Sequence, residues 1–203
     1  MKKITLTMLF VGFLTSYGIG QVPGKPEDIS PLLIGEKIPS MEITSLDGTK
    51  TTLDEIVSKK KTVLLFYRGG WCPYCNVHLA AVAEAEPDIL ELGFQIIGIA
   101  PDSPEKVMAT MDKNSVKYQL YSDADVSLIK TMGLAFEVPD KSKNLLTNYS
   151  DGKNPGLLPV PSIFVIDQEG TILFEYISPN YKERMSTELL IAVLKVLGSE
   201  KGE

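Results

Sequence analysis

The two cysteines of the chain stand three residues apart, in Cys72-Pro73-Tyr74-Cys75, and there is no third. A bridge between them closes too small a loop for chain entropy to reward it as a structural staple, so the pair is read as chemistry. Cys72 attacks an oxidised substrate as a thiolate, Cys75 attacks the adduct, and a Cys72-Cys75 redox disulfide remains for a thiol donor to reduce. The attacking sulfur must be partly exposed and must ionise near neutral pH. Arg68, four residues before Cys72, is a candidate source of positive potential or a handle on substrate; its alternative is a charge at a strand exit. His78 is the only histidine and lies three residues past Cys75. Three of the four ligands of a tetrahedral zinc site are thereby available, but no second cysteine or histidine pair supplies the fourth. No metal and no cofactor is expected, and His78 reads as an exposed helical residue or a proton shuttle.

These residues need a scaffold that points one thiol at a helix start. Thr62 to Tyr67 is a continuous apolar run rich in branched and aromatic residues, the pattern of a strand buried on both faces. It ends at Gly69-Gly70-Trp71, after which helical spacing begins at the cysteine motif and continues through Leu79, Val82, Ala83, Ile89 and Leu90 to Gly93. Cys72 then sits at a helix amino terminus, where unpaired N–H groups favour a thiolate. Pro73 fits the first helical position, where its missing N–H costs nothing, while Pro87 is placed to kink or divide the helix.

The alternation repeats downstream: a strand over Phe94 to Ala100, a helix over Ser103 to Lys113, a strand over Tyr118 to Tyr121 and a helix over Asp125 to Met132. Such an order implies right-handed crossovers and a mainly parallel centre. Ser162 to Asp167 and Thr171 to Tyr176 read as a closing hairpin, and Thr187 to Leu197 as a last amphipathic helix. Upstream, Asp47-Gly48 between two short strand patterns marks a hairpin, and Asp54 to Lys59 a short helix. The fold class expected is α/β, a central mixed sheet flanked by helices with an amino-terminal β-hairpin extension. Residues 138–159 are polar, turn-rich and longer than an ordinary connection, so they read as a lid, a binding loop or a solvated insertion.

Lys2 and Lys3 precede the apolar run Ile4 to Ile19, and Gly18-Ile19-Gly20 follows the small-x-small rule, so residues 1–20 read as a secretory signal peptide, with an uncleaved membrane anchor as the alternative. Residues 21–33 form an amino-terminal arm and residues 34–203 the domain. The chain is then exported, to the bacterial periplasm. The full sequence carries a net charge of −6, and cleavage leaves 18 basic against 26 acidic side chains. An acidic body without a basic stripe excludes nucleic acid as a partner. Asn148-Tyr149-Ser150 matches a glycosylation acceptor, which matters only in a eukaryotic secretory route.

Trp71-Cys72-Pro73-Tyr74-Cys75 after a buried strand, with Val160-Pro161-Ser162 opening a later one, resembles the thioredoxin superfamily, and Cys-Pro-Tyr-Cys has the spelling used by glutaredoxins. That resemblance implies a thioredoxin-like fold with Pro161 cis, packed against the cysteine pair, and a substrate groove shaped by Trp71, Pro73, Tyr74, Val160 and Pro161. Over about residues 34 to 197 the chain looks most like the peroxiredoxin-like branch of the alkyl hydroperoxide reductase and thiol-specific antioxidant family. Phe66 to Cys75, Phe164 to Asp167 with Gly170, and Tyr181 with Arg184 carry this resemblance. It makes Arg184 a second candidate activating group beside Arg68. The sequence departs from the family in one respect: a proline seven residues and a Thr or Ser three residues before the peroxide-attacking cysteine are expected. Registering that cysteine on Cys75 puts Arg68 and Cys72 there, and registering it on Cys72 puts Leu65 and Gly69 there.

The activity implied is a thiol-dependent oxidoreductase that reduces disulfide or hydroperoxide substrates, with a thioredoxin-like protein or a small thiol as electron donor and no stable membrane insertion after cleavage. A dedicated thioredoxin-dependent peroxidase and a non-catalytic module contacting partners through residues 138–159 are the competing readings. The intact cysteine pair speaks against the second of these.

Overall fold

A computed structural model of the chain describes residues 22–199. The segment read as a signal peptide lies outside the described residues.

The arm, with a 3-10 turn at Pro26–Asp28, lays Val22, Ile29 and Leu32 against the core, and Ile38 N–H donates to the Gly170 carbonyl at 2.9 Å. Glu42–Thr44 (β1) and Lys50–Thr52 (β2) pair antiparallel around Asp47-Gly48, where Gly48 takes the positive φ of +84° that the turn demands. Leu53–Val57 (α1) follows, opened by a capping box in which Thr52 and Glu55 satisfy each other's backbone N–H. Next come Thr62–Phe66 (β3), Pro73–Glu91 (α2), Gln95–Ala100 (β4), Pro104–Lys113 (α3), Gln119–Ser122 (β5) and Ser127–Thr131 (α4). Ala135–Glu137 (β6), Asp140–Tyr149 (α5), Leu157–Pro159 (β7), Ser162–Ile166 (β8), Ile172–Ile177 (β9) and Thr187–Ser199 (α6) complete the order.

Seven strands form one mixed sheet in the order β2-β1-β5-β4-β3-β8-β9. The crossovers β3-α2-β4 and β4-α3-β5 make its parallel centre, and β8 returns antiparallel to β3, with Leu64 opposite Phe164. The expected α/β fold is the one observed. Strand alternation divides the core into two layers. Leu64, Phe66, Ile97, Ile99 and Phe164 face α1, α4 and the arm. Val63, Leu65, Tyr67, Ile96 and Val165 face the other way, with Leu79 and Val82 of α2, Val107 of α3, and Leu190 and Leu194 of α6. Both cysteines belong to this second layer.

Two expectations change. Helix α2 runs unbroken through Pro87. The residue is exposed, so water can satisfy the carbonyl one turn back that loses its helical partner. Residues 138–159 are not a bare loop: they hold α5 and β7, the latter paired with β6 from Ala135↔Pro159 to Glu137↔Leu157. Val138, Leu146 and Leu158 form a small core of their own, against which Phe136 and Trp71 pack. The segment is polar in sequence because α5 buries only Leu146, and its helical stripe is too thin to read.

Candidate active site

Strand β3 delivers the chain through Tyr67, whose N–H donates to the Ile99 carbonyl at 3.1 Å, into a tight turn over Gly69 to Cys72. Gly69 adopts φ +135°, a conformation side chains resist, and Cys72 N–H closes the turn on the Gly69 carbonyl at 3.1 Å. Gly70 touches α3 so closely that an added Cβ would lie 1.8 Å from Thr110 Oγ1. Both backbone groups of Gly70 are held by side chains: its N–H donates to Asp102 Oδ2 at 2.7 Å, and its carbonyl accepts from Asn76 Nδ2 at 3.0 Å. Asn114 Nδ2 fixes Asn76 in turn, donating to its Oδ1 at 3.0 Å.

Cys72 is the residue that caps α2, with extended backbone and Pro73 at the first helical position. Its carbonyl accepts from the Cys75 and Asn76 N–H groups, both at 3.1 Å. The two residues are free thiols, and each is 1% exposed. The partial exposure expected of Cys72 from sequence is therefore corrected. The segment that follows β9 returns over the motif, setting Met185 among the same apolar side chains and Arg184 against Cys75.

Burial does not suppress ionisation of Cys72. Its pKa falls from 9.0 to about 6, first because the Cys75 thiol hydrogen-bonds to it, then through the Cys75 backbone N–H and the charges of Arg68 and Arg184, with burial opposing. Cys75 is pushed well up, chiefly by donating a hydrogen bond to Cys72 and then by burial. One sulfur is thereby poised as thiolate and its neighbour as thiol. Arg184 Nη2 stands 3.6 Å from Cys75 Sγ, and its other nitrogen donates to the carbonyls of Tyr181 and, at 2.7 Å, Glu183. Arg68 lies over two rings, 4.2 Å from the centroid of Tyr181 and 5.1 Å from that of Trp71, while Tyr74 meets Tyr181 edge-on at 5.7 Å. Neither guanidinium is paired with a carboxylate among the described residues, so their charge is available to the sulfurs.

A groove of about 550 Å³ opens beside the pair, walled by Pro73, Tyr74, Val77 and Ala81 on α2 and by Arg184 and Met185 opposite. His78 borders it without being an exposed residue: its Nε2 is buried and unpartnered, and burial first, then Arg184, pulls its pKa down to about 4. It is neutral at any ordinary pH. No cluster of three His, Cys, Asp or Glu side chains fit to hold a metal occurs among the described residues.

Of the five groove residues expected from sequence, Pro73 and Tyr74 stand in this wall. Trp71 turns instead toward Val138, Leu146 and Leu158. Val160 and Pro161 are buried. The cis Pro161 implied by resemblance is also corrected: no described peptide bond is cis. The chain is held extended on both sides of that bond, with Val160 N–H on the Leu134 carbonyl at 2.9 Å and the Pro161 carbonyl accepting from Ser178 at 3.1 Å. A trans bond keeps both contacts and is the intrinsically preferred form. Sequence reasoning missed Asp102 and Asn76, which touch neither sulfur. The one signal for Asp102 was an acidic residue two positions past the end of a buried strand.

A sequence model described as the AhpC/TSA family matches residues 34–174. Among characterised proteins, the thiol-disulfide oxidoreductase ResA of Bacillus cereus is 28% identical over 159 residues, 78% of each chain. Peroxiredoxin Bcp of Bacillus subtilis is 28% identical over 156 residues, 77% of this chain and 92% of that one. The putative peroxiredoxin bcp of Haemophilus influenzae is 22% identical over 169 residues, 83% of this chain and all of that one. In three dimensions the chain superposes on reduced Prx3 of Vibrio vulnificus in complex with H2O2, with a TM-score of 0.69 at 19% identity, covering 80% of this chain and 99% of that one. Peroxidoxin BcpB of Mycobacterium tuberculosis superposes with a TM-score of 0.64 at 20% identity, over 81% and 97%.

Proposed function

The chain belongs to the AhpC/TSA family, and from that premise we propose that it is a peroxiredoxin-like thiol oxidoreductase in which Cys72 attacks and Cys75 resolves. One observation carries the assignment of roles: Cys72 caps a helix, accepts the Cys75 proton in a hydrogen bond and titrates near 6, whereas Cys75 holds its proton. The nucleophile is therefore ionised at neutral pH and its partner is within reach of any adduct.

With a hydroperoxide, the Cys72 thiolate bonds to the distal oxygen, the O–O bond breaks, and the departing alkoxide or hydroxide leaves as alcohol or water after taking a proton. Cys72 is then a sulfenic acid. Cys75 sulfur attacks it, the S–S bond forms, the S–O bond breaks, and water leaves with the Cys75 proton. A thiol donor supplies two electrons and two protons to restore both thiols. With a disulfide substrate the first step gives a mixed disulfide, and Cys75 displaces the substrate thiol. Arg184 and Arg68 offset the negative charge that collects on sulfur and leaving group. The 1% exposure of both cysteines favours the smaller substrate, since a peroxide needs less room than a protein disulfide.

Peroxide consumption and insulin disulfide reduction, measured in parallel with a thioredoxin-type or small thiol donor, test the reading. Turnover in at least one assay, abolished by Cys72→Ser, is expected; absence of turnover in both overturns it. The basic start and apolar run of residues 2–19 support export of the mature protein, which cell fractionation decides.

A further inference from the structure

The turn that presents Cys72 is fastened from below by a carboxyl that no step of the reaction uses. Asp102 follows β4 and is 1% exposed. Its main chain is locked: its carbonyl accepts from Ser122 Oγ at 2.6 Å, and the next residue, Ser103, donates its N–H to the Tyr149 carbonyl of α5 at 2.7 Å. With its backbone fixed to β5 and to the inserted helix, Asp102 makes one hydrogen bond to the thiol loop, the 2.7 Å bond from Gly70 N–H to Oδ2.

That bond is well placed to govern Cys72. Gly70 lies inside the turn whose closing bond is Cys72 N–H to the Gly69 carbonyl. Gly69 has no side chain to stiffen it, and the space a Cβ would fill there lies 2.7 Å from Asp102 Oδ1 and 2.4 Å from Trp71 Nε1. Trp71 is clamped on its far side by Val138, Leu146 and Leu158, so the loop is gripped between Asp102 and the inserted segment. Asn76 holds the Gly70 carbonyl from the α2 side, so Asp102 is the one side chain that fastens the Gly70 N–H, and losing it frees that half of a two-glycine turn and loosens the cap geometry of α2.

We propose that Asp102 is a positioning residue for Cys72, acting through the Gly70 N–H to hold the sulfur at the start of α2 and against the Cys75 thiol. The inserted segment 138–159 thereby acquires a role, as the brace that fixes Asp102 through Tyr149 and Trp71 through Leu146. The proposal rests on Cys72 being the attacking sulfur, and its test reads ionisation rather than turnover, so the two ideas fail separately.

The test compares Asp102→Asn with Asp102→Leu. Asparagine keeps an oxygen that accepts from Gly70; leucine fills the buried space with an apolar side chain and accepts nothing, leaving the Gly70 N–H without its partner. The Cys72 thiolate is followed by its ultraviolet absorbance against pH and by alkylation rate at pH 6. Asp102→Asn stays within about twofold of the wild type, and Asp102→Leu alkylates about fivefold more slowly with its titration displaced upward, the scale of a lost helix-terminus interaction. Equal impairment of both variants, or an unchanged titration in folded Asp102→Leu, overturns the proposal. Should the leucine variant not fold, amide exchange in the wild type decides: Gly70 and Cys72 N–H must exchange slowly and together, and rapid exchange at Gly70 overturns it.

Discussion

Replacing Arg184 by methionine keeps much of the side chain's bulk and removes its charge, which makes it the sharpest probe of how the thiolate is stabilised. The guanidinium is 3.6 Å from Cys75 Sγ, one sulfur beyond which lies the thiolate of Cys72. A unit charge on the order of 6–8 Å away, at an effective dielectric of about 20, is worth about 2–3 kcal/mol. Arg184 is half-buried, so screening reduces this to about 1 kcal/mol. Its influence on Cys72 also ranks behind that of Arg68. The midpoint of the Cys72 titration, about 6 in the wild type, accordingly moves up by roughly half to one pH unit. Iodoacetamide alkylation of the reduced protein should be about two- to fivefold slower at pH 6 and nearly unchanged at pH 8, where the thiolate dominates in both proteins. Arg184→Lys, which keeps a charge but not the planar fork, falls between. A rate loss of equal size at both pH values would refute the electrostatic account and assign Arg184 a packing role instead.

Cys75→Ala removes the leading cause of the lowered Cys72 pKa, so the thiolate titration should shift upward and peroxide should leave a sulfenic acid without a disulfide, detectable by dimedone labelling. Gly70→Ala places a methyl group 1.8 Å from Thr110 Oγ1 and should cost about 1–3 kcal/mol in denaturant unfolding, partly restored by adding Thr110→Ala; a lack of coupling between the two changes contradicts the close approach. Burial raises the Asp102 pKa from 3.8 to about 7, so the fold holds that proton more tightly than the unfolded chain does. Its contribution is complete below about pH 4 and is lost as pH rises through 7, by at most about 4 kcal/mol; Asp102→Asn should therefore lose less stability than the wild type between pH 4 and 8, and parallel curves contradict it.

Much of this arrangement is legible in the residue string because it is local. The run Thr62 to Phe66 has no polar side for a sheet to expose, the switch to helical spacing at Cys72 fixes a helix start, and Asp47-Gly48 fixes a hairpin. What was not legible depends on segments distant in sequence. The burial of Cys72 and Cys75 is set by residues more than a hundred positions later, where the chain after β9 lays Met185 and Arg184 on the motif. The bond before Pro161 is trans, and the local motif that implied a cis one does not encode the partners, Leu134 and Ser178, that the flanking backbone meets. His78 reads in the sequence as an exposed helical histidine, whereas its Nε2 is buried beside the segment that returns over α2, again a tertiary effect. Helix α5 was hidden by its own polarity, since one buried leucine among ten residues leaves no periodicity to detect.

The central claim is that one ionised sulfur attacks and its neighbour traps the product. Mass spectrometry of the reduced protein after one equivalent of hydrogen peroxide tests it most directly. The account predicts loss of two hydrogen atoms from the peptide carrying Cys72 and Cys75, as an intramolecular disulfide, with no such loss in Cys72→Ser. Recovery of both thiols unchanged, or oxygen added to Cys75 while Cys72 stays reduced, would contradict it.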